Sequence, residues 1–349
     1  MKLLPLLLLL ALPVVAQAQF NFTTNSGAIT ITSYTGPGGA VTIPDTTNGY
    51  PVTSVGADAF SGTSLTSVTI PNGVTSIGQT AFYDCTSLTS ATIPNSVTSI
   101  GQAAFYDCTR LTSATIPDSV TSIGQAAFDE CTSLTSVTVP NGVTSIGEAA
   151  FIDCTSLTNA TIPNGVTGIG EAAFDGCTSL TSVTIPHGVT GIGEYAFSGS
   201  GLTNVTIPNG VTSIGDYAFE DCTNLTSTYF QGNAPVGDET IFSNDLATAY
   251  YLPGTTGWSS TFGGVPTTLW YQPQPQVLSF EPSFGVQNNQ FGFTISWATN
   301  VSVIVQASTN LAHPVWLPVS TNLLIGGTSQ FSDLRWTNYP WRFYRLNSP

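Results

Sequence analysis

One stretch of this chain, Val52 to Ser227, is a single phrase written seven times. A clean copy runs from Leu134 to Ser156. Prolines mark its end at positions 71, 94, 117, 140, 163, 186 and 208, in five steps of 23 residues and a last step of 22. Phenylalanines keep the same beat from Phe60 through Phe82, Phe105, Phe128, Phe151, Phe174 and Phe197 to Phe219. A period of this length confines the chain to a solenoid, because one unit is too small to bury its own apolar side and must bury it against its neighbours.

The content of one unit predicts its path. The apolar positions of the clean copy are Leu134, Val137, Val139, Val143, Ile146, Ala150, Phe151 and Cys154. The alternation through Val137 and Val139 reads as a strand with one face inward, and the Thr and Ser between suit an exposed β face. Pro140 ends that strand because it has no N–H for a ladder. Asn141-Gly142 signals a turn. Two units carry Ser96 and Ser119 in place of the glycine, so a positive φ is not obligatory there. Val143 to Ile146 reads as a second short extended piece, Gly147 as a bend, and Glu148-Ala-Ala-Phe151 as about one helical turn.

The pattern Leu-x-x-Val-x-Ile-Pro-x-x-Val-x-x-Ile-Gly-x-x-Ala-Phe-x-x-Cys resembles the leucine-rich repeat of bacterial BspA-like surface proteins, over about half of the chain. The resemblance implies a secreted or surface-exposed solenoid of a kind associated with adhesion and with binding host or matrix proteins. It brings no catalytic residues. The expected fold is therefore mainly β: a leucine-rich repeat solenoid of short strands with one helical turn per unit, followed by a small β-sandwich.

Taken in order, residues 1–18 have the make-up of a signal peptide, with Lys2, an apolar Leu3–Val15 and small residues at Ala16 and Ala18. Residues 19–51 read as an N-terminal cap, 52–227 as the solenoid and 228–271 as a C-terminal cap in which Trp258, Phe262 and Trp270 shield the last repeat. The Pro/Gln run 272–276 reads as a stiff linker. Residues 277–349 read as about seven short strands separated by turn residues, Val277–Phe280, Trp316–Val319 and Asn322–Ile325 among them. That pattern favours a fibronectin-III-like or immunoglobulin-like sandwich. No later stretch is long and apolar enough for a transmembrane anchor. The expected location is outside the cell or at its surface.

Charged residues make up only 7% of the chain and the formal net charge is −15. Before Pro273 the mature part holds 18 acids against Arg110 alone, whereas Arg335, Arg342 and Arg345 make the tail slightly basic. So acidic a surface repels phosphate backbones, which argues against a nucleic-acid partner.

The remaining constellations are weighed by position. Cys85, Cys108, Cys131, Cys154 and Cys177 form a column, and Cys222 stands beyond a unit that lacks one, which favours buried free thiols over a disulfide set. Asp84, Asp107, Glu130 and Asp153 form an acidic column, as do Glu148, Glu171, Glu194 and Asp216. They read first as a solvated face; no cofactor is called for, and Ca2+ is the one ion these edges could take. Gly168 to Ala173 mimics a dinucleotide-binding glycine motif without the βαβ unit it requires. His187 and His313 have no nucleophile or carboxylate at an interpretable spacing, so no enzyme is expected. Tyr83, Tyr106 and Ile152 are the variable exposed positions best suited to contact. Function is read as binding or adhesion toward a protein or glycan ligand. The alternative is a passive envelope or matrix component attached or sorted by the C-terminal module.

Overall fold

The computed structural model describes residues 19–272, 274–279, 284–287 and 290–347. The signal-peptide segment 1–18, Pro273 of the linker and Phe280 at the end of the first expected sandwich strand lie outside the described residues. The chain divides into two compact units, Met1–Leu180 and Thr181–Pro349.

In the first unit each turn gives one strand to each of two parallel sheets. Leu65–Thr69, Ser90–Thr92 and Ser113–Thr115 pair in register, so that Ser67, Ser90 and Ser113 are partners, as are Thr69, Thr92 and Thr115. Ser136–Thr138 pairs with Asn159–Thr161 in the same way. The second sheet is made of two-residue strands, Ser76–Ile77, Ser99–Ile100 and Ser122–Ile123. These are the extended pieces expected after each proline. All eight apolar positions of the clean copy are buried.

The segment expected to be helical is not. Glu148 to Phe151 and its equivalents run as consecutive turns, and among the described residues of the repeats there is no helix. Two positions per turn are left-handed. One is the first alanine, with φ of 50° at Ala103, 54° at Ala126 and 57° at Ala149. The other is the acidic position, occupied by Asp84, Asp107, Glu130 and Asp153, all at positive φ, and by Gly62 and Gly176 in the same column. A left-handed residue cannot continue an α-helix. Alternate amides point instead to the next turn: Thr80, Phe82 and Asp84 donate to the carbonyls of Gln102, Ala104 and Tyr106 at 2.8–2.9 Å. The intervening amides close local turns, as Tyr83 does on Thr80.

The phenylalanines stack along the interior. Ring centroids from Phe60 to Phe174 are 5.0–5.6 Å apart with interplanar angles of 4–14°. The cap residues Phe20 and Tyr34 cover the free face of Phe60, while Phe20–Asn25 and Ala28–Tyr34 form an antiparallel hairpin that starts the sheet. Outside the core, threonine hydroxyls tie turn to turn: Thr89, Thr112, Thr135 and Thr158 each donate to the backbone carbonyl of the threonine one turn earlier, at 2.9–3.2 Å. Ser96 and Ser119, which replace turn glycines, do the same onto Val74 and Val97. The Ile-Gly glycines answer a different need. A Cβ on Gly78 would lie 2.7 Å from the backbone of the turn before, so the glycine permits the close stacking.

In the second unit Asn204–Ile207, Ser227–Phe230, Thr248–Tyr251 and Val265–Leu269 continue as parallel neighbours. Phe197, Phe219 and Phe242 stack at 5.3–5.4 Å. Trp258 and Phe262 meet Phe230 edge-on and close the end of this core. Trp270 does not join them; half-buried, it lies against Tyr229.

The strands from Gln276 onward form two antiparallel sheets. One joins Gln276–Leu278, Phe284–Gln287, Gln290–Ser296 and Thr328–Asp333; the other joins Ser302–Ser308 to Leu317–Leu323 and Phe343–Asn347. Both feed one cluster that includes Phe293, Ile295, Val303, Val305, Leu324 and Phe331. Trp316–Val319 and Asn322–Ile325, expected as two strands, are replaced by the single strand Leu317–Leu323, since Thr321 and Ser320 stay in register with Ile304 and Val305. Phe284–Gln287 is a strand that the sequence pattern did not reveal.

The interior stack sets the expected cost of damage. Phe128→Ala removes a fully buried ring held between Phe105 and Phe151. It should destabilise the protein by about 3–5 kcal/mol, measured as a shift in denaturant midpoint against the parent.

Candidate functional site

Two side-chain columns flank the left-handed acidic position, one inside and one outside. The inner column is the cysteines. All six thiols are free and buried. Each donates to the carbonyl of the phenylalanine one turn earlier, as Cys108 does to Phe82 and Cys131 to Phe105, both at 3.2 Å. Thr63 holds the position before Cys85 and Ser200 the position before Cys222. Burial pushes the thiols up, Cys222 to about 12. A protonated, bonded and enclosed thiol is inert. Alkylation of the native protein should therefore modify none of the six cysteines and that of the unfolded protein all six, counted by intact mass.

The outer column is the one expected to make contacts. Tyr83 and Tyr106 are brought together: their rings stack at 4.9 Å and 7°. Tyr83 is 37% exposed and Tyr106 half-buried. The Tyr106 hydroxyl donates to Glu130 Oε1 at 2.6 Å, and this bond, more than burial, drives the phenol's pKa up. Ile152 is not part of the pair. It stands two turns past Tyr106 with Asp129 intervening, and is half-buried. Burial, then Glu130 and Asp153, push Asp129 up to about 7.

The acidic column through Asp84, Asp107, Glu130 and Asp153 has a backbone explanation that sequence reading missed. Asp and Asn tolerate the left-handed region better than most residues, and the alternation of Asp, Asn and Gly at positions 62, 84, 107, 153, 176, 199, 221 and 244 was the available signal. In the neighbouring column Gln125 donates to Glu148 at 2.7 Å. Among the described residues no group of three or more His, Cys, Asp or Glu side chains converges to hold a metal ion. His187 and His313 are both exposed and lie in separate places.

A further acid was hidden by the loss of period after residue 227. Counting 23 residues from Cys222 leads to Asp245, which takes the cysteine's place in the next turn. Both its carboxylate oxygens are shielded from solvent. Burial first, then Asp221 and Glu220, push it up to about 7 against the opposing pull of the Cys222 amide.

The BspA-type leucine-rich repeat region matches in six copies, over residues 53–167 and 144–256, more than half of the chain. The chain belongs to the BspA-type leucine-rich repeat family. Similar solved structures include a leucine-rich cell surface protein from Faecalibacterium prausnitzii A2-165 (36% identity, 66% of this chain and 74% of that one, TM-score 0.53). A leucine-rich repeat protein from Bacteroides ovatus is similar too (31%, 66% and 69%, TM-score 0.55), as is the leucine-rich repeat protein of T. pallidum (35%, 52% and 86%, TM-score 0.50). No curated protein matches the chain. Among the described residues no helix is long and apolar enough to cross a membrane.

Asp129 and Asp245 give this repeat protein an unusual pH dependence. A carboxyl raised in the folded state contributes stability fully present below its ordinary range near pH 4 and lost as pH rises through about 7. The melting temperature should therefore fall between pH 5 and pH 8, and the double variant Asp129→Asn, Asp245→Asn should flatten that slope.

Proposed function

We propose that this chain is an exported, non-catalytic binding or adhesion protein of the bacterial surface, with a protein or glycan as ligand. The observation that carries the reading is the stacked Tyr83–Tyr106 pair, an exposed aromatic surface on a rigid scaffold. Aromatic anchors held in one conformation lose little entropy on binding, which suits them to contact. Ile152, two turns further along the same column beyond Asp129, is proposed as a separate contact point. The family match and the likeness to a cell surface protein of F. prausnitzii support surface exposure, and the leader-like residues 1–18 support export. The domain limits proposed are those of the sequence: cap 19–51, solenoid 52–227, cap 228–271, linker 272–276 and module 277–349. A non-catalytic role is supported by chemistry, since the thiols are sealed in the core.

The test is direct. The chain from Gln19 is applied to arrays of extracellular proteins and of glycans, and the strongest saturable interaction is measured again with Tyr83→Ala, Tyr106→Ala. The expected outcome is a loss of roughly tenfold or more in affinity with unchanged circular dichroism. Affinity untouched by the double variant would overturn the role given to the pair.

A further inference from the structure

The turn that follows each strand-ending proline places one polar side chain at the same edge of the array. In the second unit the last of these are His187 and Asn209, and one turn on Gln231, which takes the place of Pro208, lines the same edge. They do not face open solvent alone. Trp270, Gln272 and Gln276, from the end of the cap and the start of the module, stand opposite and enclose a cleft of about 240 Å3. Its walls are held in place. The Trp297 indole N–H donates to the Gln272 carbonyl at 2.8 Å, Asn209 reaches Ser279 at 3.5 Å, and Trp270 is braced on Tyr229 with ring centroids 4.7 Å apart.

The lining has a definite chemistry. In a chain of net charge −15 it carries no Asp, Glu, Lys or Arg, and His187 is its sole titratable group. An ionic ligand would be desolvated there without a counter-charge. Besides His187, Ser279 and the Trp270 indole, the polar groups are side-chain amides, which offer donors and an acceptor side by side. Among the described residues the side chains of Gln231 and Gln272 and the indole N–H of Trp270 make no hydrogen bond, while Asn209 gives one amide hydrogen to Ser279 and Gln276 one to the Gln274 carbonyl at 3.1 Å, which leaves their amide oxygens and second hydrogens for a ligand. A ligand that matches it must both donate and accept at several adjacent points and must present an apolar face to an indole. Vicinal hydroxyls on a pyranose ring do this.

We propose that this cleft binds one unit of a neutral saccharide, the amides of Asn209, Gln231 and Gln276 taking its hydroxyls and Trp270 its apolar face. The inference rests on the binding reading above and narrows its ligand class to glycans for this site.

The test titrates the full chain from Gln19 with neutral hexasaccharides, namely cello-, xylo-, manno- and chitohexaose, and follows calorimetric heat and tryptophan fluorescence. At least one should bind saturably. Gln231→Ala, Gln276→Ala should weaken that binding by roughly tenfold or more without changing the melting temperature, because neither side chain lies in the core. Tyr83→Ala, Tyr106→Ala should leave it as it is. Absence of saturable binding to all four, or binding indifferent to the glutamine substitutions, overturns the cleft as a saccharide site. Loss of array binding in the tyrosine variant together with no hexasaccharide binding would remove this inference alone and leave the adhesion reading standing.

Discussion

Within each compact unit of this protein the turns hang on backbone hydrogen bonds to the next turn, made by alternate residues at an offset of 22 positions, or 21 where a repeat is one residue short. The amides of Thr80, Phe82 and Asp84 reach the turn above, and those between them close on their own turn. Such a ladder tolerates little variation in path, because a donor that misses its carbonyl is left without water or protein to replace it. The left-handed residues are what allow the chain to alternate in this way. Two in each turn bend it so that successive amides point alternately along the axis and back into the turn. The strain of an alanine at positive φ, about 1–2 kcal/mol, is offset by the bond its own amide makes, as at Ala103 to Gln125.

The composition follows from the same constraint. A solenoid needs few charges because its side chains need not pair with distant parts of the fold. Threonine is favoured since one residue supplies a β-branched strand former and a hydroxyl that brackets the carbonyl of the turn before. Two threonine columns of the hydroxyl-rich surface, those of Thr89 and Thr98, are thereby committed to structure. Two places stand out from the repeated surface: the tyrosine pair on the outer column and the amide-lined cleft at Trp270. Function is read from these places because there the side chains exceed what the ladder requires.

The acids illustrate how one position can serve two ends. At Asp84 and Asp107 the residue type is set by backbone geometry, yet the stacking of turns brings the carboxylates into each other's field. Asp107 is raised by burial and by Glu130 and Asp84 on either side. Where the acid is also enclosed, at Asp129 and Asp245, the effect is larger. The protein carries its negative charge at some cost to the folded state, a cost that protonation relieves.

The sequence by itself determined the period, the two strands of each turn, the buried set from Leu134 to Cys154 and the free state of the cysteines. It could do so because a repeat states each local preference seven times, and a one-dimensional stack has no distant partner to overrule them. The tertiary structure alone decided the rest. It turned Glu148 to Phe151 from a helix into a chain of turns, because the amides are claimed by the neighbouring unit, which local propensity does not register. It paired Tyr83 with Tyr106 but left Ile152 apart, placed Asp245 in a cysteine's slot, and merged two expected strands into Leu317–Leu323. It also brought His187, Asn209 and Gln231 opposite Trp270 and Gln276. Residues this far apart in the chain share a cleft only through the path of the fold, and no spacing along the sequence encodes that meeting.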